Sequence, residues 1–419
     1  MARELALTAG LLAAALTGCS PFGGSAAFVC TSGDQCDAQG QGTCQPNGSC
    51  SYPDSSCMSG ERYGDNSGTN SNVCVGEEPV GPDGGGDGPT QKVCYGSTSG
   101  LVRPCFPSAP SGDITLQAAI DTTNDPMCSK TVTDVPAGLC VITGANITVA
   151  SGTIVAATGT KPLVLVATGM ITVSGALNAS SYHATTAPYA TTQTGAGADP
   201  MNGCLAAGAP GVSGGGAGGT FTELGGAGGG GNGGSAGGTA GGPQATVALR
   251  GGCRGQNALG AGGGRGGRGG GAVYFIASTI NIDGTINASG EGGGLGVSGG
   301  NAGGGGGGSG GLIGFDAATI TNNGLVFANG GGGGEGSGGG QSGLPGLDAT
   351  GVGVATGGAG GSPGGNGGNG GAGGTAGGTK TGGNGATAGA DGGGGGGGGT
   401  GVIKVYGGGT LGGQYSPNP

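Results

Sequence analysis

The sequence contains no tryptophan, and of its 419 residues only 4% are aromatic and 8% charged. So few large apolar side chains exclude the thick core of a conventional multi-domain enzyme, whatever the length would otherwise imply. There is one histidine, His183, and no CxxC pair; clustered zinc ligands are therefore missing, and no metal or other cofactor is expected. Lys and Arg total 12 against 22 Asp and Glu, so nucleic acid is not an expected partner. The acidity is local, because residues 1–150 hold 14 acidic against 5 basic residues and the remainder 8 against 7. Abundance lies elsewhere, in 123 glycines and 13 cysteines.

Residues 1–19 have the form of a secretory signal, with Arg3, an apolar run from Leu5 to Leu16, and small residues before Cys19. The run is too short to span a membrane. Leu16, Thr17, Gly18 and Cys19 resemble the bacterial lipobox, whose cysteine is lipidated, palmitate included, and becomes the mature N-terminus. That resemblance implies a lipoprotein exported to the outer membrane or cell surface, with the membrane as partner through lipid on Cys19. Ser20 in place of Asp fits the outer membrane. The alternative is ordinary signal cleavage, with Cys19 discarded or disulfide-bonded.

Apart from Cys19, twelve cysteines remain, an even number suited to disulfides in an oxidising compartment. Cys30, Cys36, Cys44, Cys50, Cys57 and Cys74 form one group and Cys94, Cys105, Cys128 and Cys140 a second, with pairing undetermined by sequence. Cys204 and Cys253 form the expected pair in the glycine-rich part, although mixed pairing with the second group stays open. Residues 20–76 are thus a Cys-rich module and 77–91 a Pro/Gly/Asp linker. Residues 92–145 read as a disulfide-bonded N-terminal cap, with a short helix over Thr115–Asp121 that would hide a sheet edge.

From 146 to 419 the chain is organised around Ala272–Gly290, in which Val273, Phe275, Ala277, Ile280, Ile282, Ile286 and Ala288 alternate with their neighbours. Leu163, Leu165, Ala167, Ile171, Val173, Leu177 and Ala179 form an equivalent copy. A third reads Ile313, Phe315, Ala317, Ile320, Val326 and Ala328, with Asn322 at an apolar position, and a partial fourth reads Ile403, Val405 and Leu411. A half-copy, Ile147, Val149, Ile154 and Ala156, precedes them, and Ile147 to Ile171 spans 24 residues, the length of one coil of a parallel β-helix. The expected fold is therefore all-β: a short parallel β-helix bearing glycine-rich lateral inserts over about 197–271, 291–310 and 330–401. All three inserts leave one corner of the coil, so they must lie against one another.

Collagen does not fit the inserts, which lack a strict G-X-Y frame and enriched proline. A disordered linker is one alternative. The other is a bundle of extended threefold polyglycine II-like helices, since stretches such as Gly364–Gly377 place a non-glycine residue at every third position. Residues 210–419 resemble the glycine-rich PE-PGRS-like surface proteins, without their N-terminal helical domain. The whole chain resembles glycine-rich exported lipoproteins of the myxobacterial type, which implies a surface location and brings no catalytic residues.

Motif matches are cheap in so much glycine. Gly211-Val212-Ser213-Gly214-Gly215 fits G-x-S-x-G but has no strand–Ser–helix context, and only His183 could serve as its base. Arg265 and Arg268, in GRGGRGGG, are expected to be solvated or bonded to backbone carbonyls rather than to RNA. The coil copies offer only Asp283 and Asp316 as acids, at positions that do not stack. The expectation is a non-enzymatic structural or adhesive surface protein, with surface polysaccharide or a neighbouring-cell ligand as partner. A carbohydrate-active β-helix enzyme and an ice- or water-ordering polyglycine surface are the alternatives.

Overall fold

The computed structural model describes residues 29–37, 42–57, 59–65, 67, 70–75, 92–117, 119–128, 136–183, 193–200, 203–205, 208–359, 367–376 and 378–419. Leu16 to Cys19 and the linker over 77–91 lie outside them, apart from which the chain divides into two compact units, Met1–Pro89 and Thr90–Pro419. Among the described residues structure is nearly all β, and helix is confined to short 3-10 turns such as Gly33–Gln35.

In the first unit β1 (Thr43–Cys44), β2 (Cys50–Pro53) and β3 (Glu61–Tyr63) form an antiparallel sheet. Disulfides Cys30–Cys44, Cys36–Cys50 and Cys57–Cys74 close it. Its interior is chiefly the sulfur of Cys30, Cys36 and Cys50 with Tyr52 packed alongside, so covalent links replace the apolar volume that the composition lacks. Those three cysteines cluster as a metal site would, but each is already oxidised into a disulfide.

The second unit opens with β4 (Val93–Cys94) and β5 (Cys105–Phe106), antiparallel and joined by Cys94–Cys105. From Ile114 onward the chain deals strands to parallel sheets in rotation. The triplets are β6 (Ile114–Leu116), β7 (Ile120–Asp121) and β8 (Cys140–Gly144), then β9 (Ile147–Val149), β10 (Ile154–Thr158) and β11 (Leu163–Ala167). Next come β12 (Met170–Val173), β13 (Ala176–Asn178) and β14 (Ala272–Ile276), followed by β15 (Thr279–Ile282), β16 (Thr285–Asn287) and β17 (Leu312–Asp316). β18 (Thr319–Asn322), β19 (Leu325–Phe327) and β20 (Val402–Tyr406) follow, and β21 (Gln414–Ser416) ends the series. The three resulting sheets run β6-β9-β12-β15-β18, β7-β10-β13-β16-β19-β21 and β8-β11-β14-β17-β20.

Register puts like residues over like: Leu165 over Phe275, Phe315 and Val405, and Ile171 over Ile280 and Ile320. Phe275 and Phe315 stack with centroids 5.2 Å apart. In β12 and β15 burial alternates, but β11, β14 and β17 are buried at every residue. That third sheet has a second apolar layer outside it, Val102, Phe106, Phe221 and Leu249 against Val164, Tyr274 and Leu312, which explains its continuous apolar runs.

The structure corrects four expectations. Thr115–Asp121 is not helical, because Ile114–Leu116 pairs with β9 and Ile120–Asp121 with β10, and ladder bonds override a weak local helix preference. The stacked strands thus begin at Ile114, ahead of residue 146. Within β10 the inward residues are Val155 and Ala157, not Ile154 and Ala156: Val155 pairs with Leu177 while Ile154 is 53% exposed. An Ile-Val-Ala-Ala run is apolar in both parities, so pairing alone selects the face. Finally, Leu411, expected as the next equivalent of Ile320, is buried outside any strand, and pairing resumes only at Gln414–Ser416, where Tyr415 lies over Val326. Asn322, buried in β18 where the β6–β18 sheet ends, donates from Nδ2 to the Gly412 carbonyl at 2.8 Å.

Phe275→Ala should therefore lower the unfolding free energy by about 3–5 kcal/mol, read from the denaturant midpoint at unchanged slope. Thr172→Ala, on the outward side of β12, should change it by less than about 0.5 kcal/mol.

Candidate functional site

Three long connections leave the β7–β21 sheet and return to the β8–β20 sheet: from β13 to β14, from β16 to β17 and from β19 to β20. From β10 to β11 the same pair of sheets is joined by 159–162 alone. The long connections fold into extended segments that bond to one another. Segment 303–311 shows the rule. Gly304, Gly307 and Gly310 donate to the carbonyls of Gly393, Gly396 and Gly399, whereas Gly305, Gly308 and Gly311 donate to Gly294, Glu291 and Ala288. Gly306 and Ser309 donate in a third direction, to Gln256 and Cys253, and all of these bonds measure 2.8–3.0 Å. Three other segments, 264–270, 216–219 and 331–334, donate back to its carbonyls.

Partners thus recur at every third residue, and each of these bonds runs to another segment rather than within the segment itself. Segment 392–401 repeats the pattern, donating to 328–337, 213–219 and 380–386. Backbones come this close only without Cβ atoms. A Cβ on Gly306 would lie 1.9 Å from the Ala217 oxygen, and one on Gly308 1.9 Å from that of Arg268. Neither glycine has a positive φ, so what is exploited at these positions is its missing volume rather than its conformational freedom.

Where a segment lacks a backbone neighbour, a side chain supplies the acceptor. Gly266 donates to Asn257 Oδ1, Gly269 to Asp199 Oδ1 and Arg268 to Glu291 Oε2, all at 2.8–2.9 Å. Leu344 donates to Glu335 Oε2 and Gly292 to Asp348 Oδ1, at 2.9 and 2.7 Å. Burial raises the Asp199 carboxyl above the ordinary carboxylate value, although the Gly269 N–H and Arg254 act against it. At the exposed third positions Asn384 and Thr387 turn their oxygens sideways to accept from Ala227 and Gly230.

Cys204–Cys253 is bonded and pins the first connection, while Cys128–Cys140 holds the start of β8. Ser213 lies within the layer, its carbonyl accepting from Gly393. Asp283 accepts from Asn323, and buried Asp316 accepts from the Ser97 N–H and the Tyr274 hydroxyl. Arg265 is exposed, but Arg268 is not simply solvated or carbonyl-bonded: its Nη1 lies 3.7 Å from Glu291 Oε2. His183 stands between two carboxylates, with Nδ1 3.4 Å from Asp348 and Nε2 3.4 Å from Glu291. The hydrogen bond with Asp348 raises its pKa, against the effect of burial. Sequence reasoning missed Glu291, Asp348, Glu335 and Asp199, for which the available signal was isolated acids inside nearly uncharged glycine runs.

Gly306→Ala should destabilise the protein by about 3 kcal/mol, the upper end of overpacking costs. A Cβ on Gly389 meets nothing within 4 Å, so Gly389→Ala should leave the thermal midpoint unchanged or slightly higher. No family model, curated protein or solved structure matches the chain.

Proposed function

We propose that this chain is a non-enzymatic, lipid-anchored cell-surface protein with a structural or adhesive role. Its rotating strands are read as the coils of a short parallel β-helix, and its bonded glycine segments as a polyglycine II-like layer held along one corner. One observation carries the reading: inside the layer the backbone donors of 304–311 and 392–401 are engaged in three directions by neighbouring segments. Backbone so engaged has no spare groups for a protease to capture, and a laterally bonded sheet of helices resists bending. A rigid, nearly uncharged face of this kind suits display toward envelope polysaccharide or a neighbouring cell.

The polar side chains support this role over catalysis, because the carboxylates of the layer accept backbone N–H groups and those of the coils are tied to Asn323, Ser97 and Tyr274. They also favour it over water ordering, since Asn384 and Thr387 spend their acceptor oxygens within the layer. The disulfides accord with an oxidising compartment. Anchoring rests on the lipobox resemblance alone.

Amide hydrogen exchange on the unlipidated form should show protection of minutes or longer over 288–311 and 392–401, and exchange within seconds there would sink the rigid-layer reading. Cys19→Ser should move the full chain from the membrane fraction to the soluble one. Retention of that variant on purified envelope polysaccharide or on cells would support adhesion, whereas its absence from both would leave a structural role.

A further inference from the structure

The single histidine occupies a place where ionisable side chains from all three long connections meet. His183 follows β13 at the start of the first connection, Glu291 lies in the second, and Asp348 in the third. Both carboxylates are nearly inaccessible, with side chains 5% and 3% exposed, while the imidazole is 29% exposed. The His183 backbone N–H also donates to Asp348 Oδ2 at 2.8 Å, so the ring and its own peptide grip one carboxylate together.

Each ring nitrogen faces a different carboxylate, at 3.4 Å. A neutral imidazole carries one N–H and one lone pair and can donate to only one of them; an imidazolium donates to both. The nitrogens point to opposite sides of the ring, so His183, Glu291 and Asp348 do not converge on a metal ion. Among the described residues, Arg268 shares Glu291 and the Arg265 charge opposes protonation, while Asp348 and Glu291 favour it.

We propose that His183 is a proton-dependent pin: charged, it ties the second and third connections to the start of the first, and on losing its proton it releases one of them. The pin rests on the ordered-layer reading and adds regulation to it. Asp348 keeps its bond from Gly292 and Glu291 keeps those from Arg268, so deprotonation loosens the seam without unfolding the coils. A histidine titrating above its ordinary 6.5 stabilises the seam fully below that value, and the stabilisation is lost as pH rises through the raised one. The seam is thus tightest in acidic surroundings and loosens toward alkaline ones.

The test uses the unlipidated full chain carrying isotope-labelled histidine. The His183 ring signal should titrate with a midpoint above 6.5, and Glu291→Gln and Asp348→Asn should each move that midpoint down. Protection factors, corrected for intrinsic exchange, should fall over 288–297 and 343–350 as pH passes the midpoint. Each unit by which the midpoint exceeds 6.5 corresponds to a tenfold change in the opening equilibrium. In His183→Gln that step should vanish, with protection held at its high-pH level. A midpoint at or below 6.5, or one that neither carboxylate variant moves, overturns the pin while an otherwise protected layer survives. Rapid exchange throughout 288–311 and 392–401 at every pH would instead remove the layer, and the pin with it.

Discussion

Every backbone N–H and C=O removed from water needs a partner, and the glycine segments find theirs on other segments rather than within themselves. The lateral layer meets that demand by bringing segments so close that a Cβ would overlap a neighbouring carbonyl, as at Gly306 and Gly308. Removing the side chain is what allows the hydrogen bonds, and the hydrogen bonds in turn compensate for the large entropy glycine loses on being ordered. Glycine abundance is therefore the packing material of the layer.

The stacked strands make that packing attainable. Strands β13, β16 and β19 are parallel neighbours in one sheet, so the connections that leave them start already aligned with one another. The Ala288 N–H still donates to the Phe327 carbonyl as a continuation of the strand ladder, and the Leu312 N–H donates to the Gly271 carbonyl as the chain re-enters. Strand and glycine segment thus share one hydrogen-bonded lattice with no break between them. The Cys204–Cys253 bond closes the first connection near its return, which limits the freedom of its unfolded state.

Scarce polar residues act within the same accounting. Asp199, Glu291, Glu335 and Asp348 replace carbonyls that a missing neighbour would have offered, and His183 and Arg268 share the charge this places at the seam. A protein with so few ionisable groups has devoted most of the carboxylates in its layer to holding backbone N–H groups. The same logic holds in the N-terminal unit, where the disulfides of Cys30, Cys36 and Cys50 stand in for an apolar core.

By itself the sequence determined the 24-residue spacing that pairs Ile147 with Ile171, the residues stacked over one another from Leu163 to Val326, and the shared sheet from which the glycine segments leave. These follow from alternation and spacing, which local chemistry writes directly into the chain. Tertiary structure decided what depends on distant partners. It set the parity of Ile154–Thr158, which Leu177 fixes, and the strand at Ile114–Leu116, which β9 extracts from a weakly helical stretch. Above all it decided which lone acid meets which N–H: Glu291 and Asp348 lie more than a hundred residues from His183 in sequence. Only the closing of the lattice brings them to the two sides of its ring.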